Sequence, residues 1–208
     1  MQEVSIAMLC LVSLCSSVFA EDAGQVRLPV PKDWKGETIK LPPDFARDMK
    51  LKGTEHIKFA PGMFQSDSDS FFSYVYVFRL EKKPELKPKV IKQEFLKYYR
   101  GLAVAVLKDR ASEIDTKTFT FKLKPVKDQN KTGSPKKKLV EYTAELNWIE
   151  PFATQKPQKL RLEIQTWPAK EHNFMFVCVS PKSKDSAIWK QMREIRTKFH
   201  KQESDKKD

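Results

Sequence analysis

Apolar and polar side chains alternate along several stretches of the chain, and this period of two predicts β-strands. The stretch 71–80 is the most apolar, with aromatic residues on one face and Val75 and Val77 on the other. A strand without a polar face must be covered on both sides, so we expect it to lie inside a sheet. The remaining predicted strands are Thr38–Leu41, His56–Ala60, Phe119–Leu123, Val140–Trp148, Leu160–Ile164 and Phe174–Val179.

Two other stretches repeat their apolar residues at the helical spacing of three and four. The first predicts a helix from near Lys89 to Asp109, interrupted by Gly101, whose missing side chain indicates close packing against the sheet. The second predicts a helix that begins after a cap at Ser183 or Asp185, because their side-chain oxygens can accept from free backbone N–H groups. Its apolar stripe consists of Ile188, Met192, Ile195 and Phe199, with Trp189 beside it.

Together these elements predict an α+β fold built on an antiparallel sheet of about five to seven strands. The short connections favour a meander, and the clean alternation favours one wet face with a ladder of opposite charges, in which Glu145 lies opposite Arg161. Each helix has a single apolar stripe, so we expect both helices to pack on the one dry face. Residues 21–200 are predicted to form one domain, followed by a charged disordered tail at 201–208.

The N-terminal residues have the features of an export signal. Residues 5–19 carry no charge, and Val18 and Ala20 stand at the −3 and −1 positions of a cleavage site. This stretch is shorter than the ~20 residues that span a bilayer and suits a signal peptide over 1–20, which predicts a periplasmic or extracellular protein. An upstream start stays open, because Glu3 stands where Lys or Arg is usual. A lipid-modified form and an uncleaved anchor also stay open.

The net charge of the 208 residues is +12, with 31 Lys and only 8 Arg. Lys is a hydrated point charge, whereas Arg recognises phosphate through two hydrogen bonds. The aromatic residues lie on the predicted apolar faces, and the densest basic cluster, Lys136–Lys138, lies in a loop. We therefore expect a solvated basic surface and no specific nucleic-acid partner. Attraction to anionic lipids or polysaccharides of the cell envelope, including peripheral membrane contact, is an alternative.

Candidate catalytic and metal-binding residues are few and scattered. The three histidines have no spacing that brings two of them together, so neither a metal site nor a cofactor is predicted. Cys178 is the one cysteine after the signal peptide and lies in an apolar strand, where a thiol is unreactive. The QSDSDS segment with Asp67 and Asp69 is similar to a calcium loop, but it lacks the turn Gly and the final Glu of that motif.

Three segments carry a resemblance to known proteins. They are Leu41–Ala46 with the sequence LPPDFA, Gly53–Gly62 with GTEHIKFAPG, and Tyr98–Leu102 with YYRGL. Over most of the chain after the signal peptide, the sequence resembles a family of uncharacterised exported bacterial proteins, which implies export and a single domain but no activity. The order of elements, with an apolar strand leading into a helix that carries Trp189 and Phe199, resembles that of Mog1/PsbP-like sandwiches.

The leading functional hypothesis is a non-catalytic exported protein that binds a partner or ligand in the cell envelope. It depends on the export signal, the single domain and the lack of a convergent catalytic set. The alternative is a hydrolase-type enzyme with a site near the F-A-P-G turn. Its candidate ligand-binding residues are Glu55, His56, Asp67, Asp69 and Arg100. A third hypothesis is electrostatic binding to anionic envelope polymers.

Overall fold

The computed structural model describes residues 26–126 and 139–205, and its main feature is a sheet of seven antiparallel strands. The strands are β1 (Lys35–Leu41), β2 (Gly53–Phe59), β3 (Tyr74–Glu81), β4 (Thr120–Pro125), β5 (Val140–Ile149), β6 (Pro157–Pro168) and β7 (His172–Ser180). Their spatial order is β1-β2-β3-β7-β6-β5-β4, so two meanders join where β3 pairs with β7. The predicted α+β fold with an antiparallel sheet is confirmed.

Two long helices and three short 3-10 turns accompany the strands. Helix α1 covers Pro88–Leu107 and links β3 to β4, and helix α2 covers Ala187–Asp205 after β7. The 3-10 turns are Asp44–Ala46, Lys108–Glu113 and Thr116–Thr118. Pro88 suits the first turn of α1, because the N–H that it lacks would have no partner within the helix there.

The C-terminal end of the described chain is more ordered than expected. Helix α2 continues through Asp205, so the expectation of a disordered tail is wrong for 201–205. Phe199 anchors the last turns of the helix in the core, and the Ser204 hydroxyl donates to the His200 carbonyl. Residues 206–208, the predicted signal peptide at 1–20 and the Lys136–Lys138 cluster lie outside the described residues, and export stays a prediction.

Strands β3 and β7 form the centre of the sheet and are buried on both faces. On β3, Tyr76 packs toward α1 whereas Val75 and Val77 pack toward α2. On β7, Val177 faces the α1 side and Phe176 the α2 side. All five side chains are at most 1% exposed, so the predicted interior strand with two apolar faces is confirmed.

The two helices lie on opposite faces of the sheet, and the expectation that both pack on one face is wrong. Helix α1 buries Phe95 and Tyr99 in one core, and helix α2 buries Trp189 and Met192 in the other. The N-terminal segment joins the second core through Trp34. An apolar stripe shows that a helix has one dry side but does not select the sheet face. The central strands offer two faces, and each receives one helix.

Glu163 and Gln165 of β6, whose alternation suggested a wet face, lie beneath α2. Glu163 accepts hydrogen bonds from Arg193, with a shortest distance of 2.7 Å, and from Arg196 at 3.1 Å. Burial alone would raise the pKa of Glu163, but these two guanidinium groups hold that pKa below its usual range. The ion pairs therefore join α2 to the sheet at a position where alternation alone indicated solvent.

On the α2 side of the sheet, strands β4, β5 and β6 keep the expected charge ladder. Glu145 of β5 lies opposite Arg161 of β6 and opposite Lys122 of β4, which confirms the predicted register. The Arg161 guanidinium also donates to the Pro181 carbonyl, and Lys159 lies 4.0 Å from the Glu145 carboxylate. Such exposed pairs contribute at most about 1 kcal/mol each.

Gly101 packs closely against the chain, but its neighbour is a turn and not the sheet. A Cβ at this position would overlap the carbonyl oxygen of Phe45, which lies in the 3-10 turn before β2. The missing side chain thus lets the backbone of α1 approach the backbone of that turn. The expectation that Gly101 packs against the sheet is wrong, because the backbone nearest to it is that of Phe45 and Ala46 in the turn.

We expect Gly101→Ala to lower the free energy of unfolding by about 1–3 kcal/mol, because the turn must move to admit the methyl group. This loss opposes the gain of about 1 kcal/mol that Ala brings to a helix interior. Urea denaturation measures the difference. Val104→Ala is the matched control, since Val104 is 45% exposed on the same helix and its change should stay within about 0.5 kcal/mol. A variant as stable as the parent would contradict the close packing.

Candidate functional site

The structure separates the five predicted site residues instead of bringing them together. Glu55 and His56 are successive residues of β2, so their side chains point to opposite faces of the sheet. Asp67 and Asp69 lie exposed in the loop after β2, and Arg100 lies on α1.

Glu55 is an acid sealed inside the core between β2 and α1. Its side chain has no solvent exposure, and its Oε1 atom accepts a hydrogen bond from the Tyr98 hydroxyl at 3.1 Å. The Oε2 atom has no partner among the described residues. Burial raises the pKa of Glu55 to about 8, although the hydrogen bond from Tyr98 works in the opposite direction. Glu55 is therefore a neutral carboxylic acid at neutral pH.

A cluster of buried tyrosines surrounds this acid. The hydroxyls of Tyr74 and Tyr99 share a hydrogen bond of 2.8 Å, and the rings of Tyr76 and Tyr98 are stacked with an interplanar angle of 6°. Burial raises the pKa of all four tyrosines well above the usual range, so their hydroxyls stay protonated. None of the four rings is more than 6% exposed. The cluster is closed to solvent and offers a ligand no direct access.

The segments that carry the family resemblance meet at this cluster. Phe45 of the LPPDFA segment packs edge-on against Tyr98 of the YYRGL segment, with ring centroids 5.0 Å apart. The same segments contact where Gly101 approaches the Phe45 carbonyl, and Tyr98 reaches Glu55 of the GTE segment. The three motifs therefore specify how α1 docks on the sheet. In this chain they build the core and not an open site.

A second buried acid holds the same helix in place. Glu94 of α1 is 2% exposed and accepts the backbone N–H of Leu51 at 3.0 Å and that of Lys50. Lys97, one turn later, lies 2.8 Å from its other oxygen. This carboxylate satisfies backbone donors of the segment between the first 3-10 turn and β2, which is a structural task.

His56 lies on the face of the sheet that α2 partly covers. Its ring nitrogens contact the hydroxyls of Thr38 and Thr54, each at 3.2 Å. Burial lowers the pKa of His56, and the positive charges of Arg79 and Lys58 lower it further. Its described hydrogen-bond partners are hydroxyls, so it lacks the carboxylate partner of a catalytic dyad.

The remaining predicted residues also lie apart. Arg100 donates to the carbonyls of Thr116 and Phe119 and so ties α1 to the segment before β4. Asp69 lies at the edge of a cleft of about 750 Å³ between its loop and the first turns of α2. The charged residues among those that line this cleft are Asp69, Lys182, Lys190 and Glu194, two of each sign. They favour no particular charge on a ligand.

Cys178 is buried without exposure on β7 and donates to the Met192 carbonyl at 3.7 Å. Burial raises the pKa of the Cys178 thiol to about 12, which confirms the predicted unreactive setting. The described residues contain no group of three or more His, Cys, Asp and Glu side chains that could hold a metal ion. No helix among them has the length and apolar content needed to cross a bilayer.

One surface feature that the sequence did not reveal is an aromatic pair, Phe64 and Phe152. Phe64 is 51% exposed, Phe152 is 37% exposed, and their ring centroids are 5.5 Å apart. They come from two loops far apart in sequence and meet at one end of the sheet. Phe64 also contacts Phe59, and Phe152 contacts the buried Phe72. A single aromatic residue in a loop is unremarkable in a sequence, so only the fold shows the pair.

Comparisons with protein-family models, with curated proteins and with solved structures find no match for this chain.

We expect Glu55 to make the protein less stable as the pH rises. The unfolded chain releases this proton near pH 4.5 and the folded chain near pH 8, so the folded state binds more protons between those values. Its contribution to stability is complete below pH 4.5 and is lost as the pH rises to about 8, by up to about 1.4 kcal/mol per pH unit.

Urea denaturation at pH 5, 6, 7 and 8 of the parent and of Glu55→Gln measures this effect. The Gln variant should lose much less stability over this range, whatever its absolute stability. Glu145→Gln, at an exposed carboxylate of the sheet, is the control and should keep the parent's slope. Equal slopes for the parent and Glu55→Gln would show that Glu55 is not buried as an acid.

Proposed function

We propose that this chain is an exported, non-catalytic binding domain that docks on a partner protein of the cell envelope through the aromatic pair. The observation that carries the proposal is the contact between Phe64 and Phe152, two exposed aromatic side chains held next to each other. Exposed apolar clusters of this kind mark interaction surfaces in soluble proteins. Aromatic residues also dominate the binding energy of protein interfaces.

The loop that carries Phe152 is held by a buried acid. Glu150 has no exposure, and its carboxylate accepts the backbone N–H groups of Phe152, Ala153 and Thr154 at 2.6–3.1 Å. The Thr154 hydroxyl donates to the same carboxylate at 2.8 Å. A loop with so many hydrogen bonds to one acid has little freedom to lose on binding, which favours affinity.

The loop that carries Phe64 is held in a similar way by backbone hydrogen bonds. The N–H of Phe72 donates to the Met63 carbonyl at 2.8 Å, and that of Gln65 donates to the Gly62 carbonyl at 2.9 Å. Phe64 also packs on Phe59 at the end of β2. Both aromatic rings are therefore presented by ordered backbone.

The charges beside the aromatic pair favour a protein partner over a lipid bilayer. Asp67 and Asp69 are exposed in the loop of Phe64, and their carboxylates would be repelled by anionic lipids. Exposed Lys156 lies in the loop of Phe152. An apolar centre with a polar rim of both signs is the usual composition of a protein interface.

The positions of the acids and histidines also support binding rather than catalysis. Glu55 lies in the closed core, His56 faces the other side of β2, and Arg100 is occupied by backbone carbonyls. A hydrolase needs a nucleophile or an activated water within reach of an acid or base. Among the described residues, the alternative proposal of a hydrolase near the F-A-P-G turn therefore has no assembled site to support it.

We expect a photoreactive p-benzoylphenylalanine at position 64 to form an adduct with one protein when the full chain is expressed and irradiated in its own cells. Mass spectrometry then identifies the adduct. The same residue at position 104 is the matched control, since Val104 is also exposed, at 45%, but lies on α1. The Phe152→Ser change should weaken the adduct at position 64 several-fold, because it removes the neighbouring ring.

Three results would contradict the proposal. They are no adduct at position 64, the same adducts at positions 64 and 104, and an adduct with lipid instead of protein. Circular dichroism and thermal melting of the Phe152→Ser protein show whether its fold is intact, so a lost adduct can be assigned to the surface.

A further inference from the structure

The ring of His172, the first residue of β7, is held in a position that suits only its neutral form. Both ring nitrogens are shielded from water, and neither has a hydrogen-bond partner among the described residues. The ring packs edge-on against Phe174, with centroids 4.5 Å apart. A protonated imidazole carries a charge and two N–H donors, and both would be unsatisfied at this position. The observed structure therefore disfavours the protonated form of His172.

The same residue closes the turn between β6 and β7, at residues 169–171. The Ala169 N–H donates to the His172 carbonyl at 2.8 Å. The next residue, Asn173, donates from its side chain to the Pro84 carbonyl at 2.9 Å, which ties the turn to the segment after β3. The shielded ring and the hydrogen bond that closes the turn thus belong to one residue.

The C-terminal end of α2 packs against the two strands that this turn joins. The Phe199 ring contacts those of Trp167 and Phe174, with centroid distances of 6.2 Å and 5.8 Å. The His200 ring lies 4.2 Å from that of Trp167 and has a hydrogen bond of 2.6 Å with the Gln165 side chain. The turn is therefore continuous with an aromatic cluster that joins α2 to the sheet.

Charged groups of both signs face His172 from each neighbouring element. They are Arg79 and Glu81 of β3, Lys83 after it, Glu171 of the turn and Glu203 of α2. Burial lowers the pKa of His172, and Arg79 and Lys83 lower it further, against the opposite effect of the acids. When the ring reaches water the effect of burial is lost, whereas Glu171 stays beside it in the chain. An open turn therefore binds the proton more tightly than the closed one.

We propose that His172 is an acid-sensitive latch, and that protonation of its ring opens the β6–β7 turn away from the end of α2. The closed turn accepts only the neutral ring and the open turn accepts both forms, so protons shift the equilibrium toward the open turn. The latch lies at the opposite end of the sheet from the aromatic pair. His172 pairs with Glu81 at one end of β3, and Phe59 pairs with Tyr74 at the other. It is therefore independent of the proposed partner surface.

Amide hydrogen exchange of the full chain at pH 7.5 and pH 5, resolved by NMR and divided by the intrinsic exchange rates, tests the latch. A ring that titrates near pH 6.5 when open and binds no proton when closed makes opening about 30-fold more frequent over this range. The protection factor of the Ala169 amide should fall by about this factor. The Phe72 amide, which donates to the Met63 carbonyl in the loop after β2, is the control and should change less than about twofold.

His172→Phe keeps an aromatic ring beside Phe174 but cannot bind a proton, so the protection of Ala169 should become independent of pH. His56→Gln is the matched control. It removes another half-buried histidine, whose ring nitrogens contact the hydroxyls of Thr38 and Thr54, and it should keep the parent's response. If His172→Phe does not fold, NMR titration of the His172 ring in the parent replaces it. The midpoint should lie below pH 6.5.

The proposal is overturned if the protection of Ala169 changes less than about threefold between the two pH values, because the ring would then reach water without opening the turn. A pH response that persists in His172→Phe, or that disappears in His56→Gln, would also overturn it. So would a His172 ring that titrates at or above pH 6.5, since the closed turn would then accept the protonated form.

Discussion

The burial of the β3–β7 pair on both faces is the constraint on which the rest of the structure depends. Apolar side chains project from both sides of these strands, so each face needs a cover. Helix α1 covers one face and helix α2, with Trp34, covers the other. The outer strands extend this central pair on both sides. One meander runs from β3 to the edge strand β1, and the other runs from β7 to the edge strand β4.

Much of the fold follows from the sequence because local patterns set the strands and helices. The two-faced stretch at 71–80 predicted the interior strand, and the register of Glu145 with Arg161 followed from strand lengths. The faces of the helices could not be predicted, because an apolar stripe is the same on either side of a sheet. Glu163 is polar by type, and only its pairing with Arg193 across the fold shows that it is covered.

The candidate site was harder to predict than the fold, for a physical reason. Sequence proximity suggested that Glu55 and His56 act together, but adjacent strand residues point to opposite faces. The proposed partner surface depends instead on a contact between two distant segments. Phe64 and Phe152 meet across 88 positions of the chain. With Glu55 closed to solvent in the core, the proposed partner contact lies on the surface.

Native-state hydrogen exchange, resolved by residue, tests the central role of the β3–β7 pair most directly. We predict that the amides at the centre of β3 and β7 exchange most slowly, with a free energy equal to that of global unfolding. The amides of the edge strands β1 and β4 and of both helices should exchange through smaller openings. Faster exchange in β3 and β7 than in β5 and β6 would contradict the account, because the sheet would then be organised by its other half.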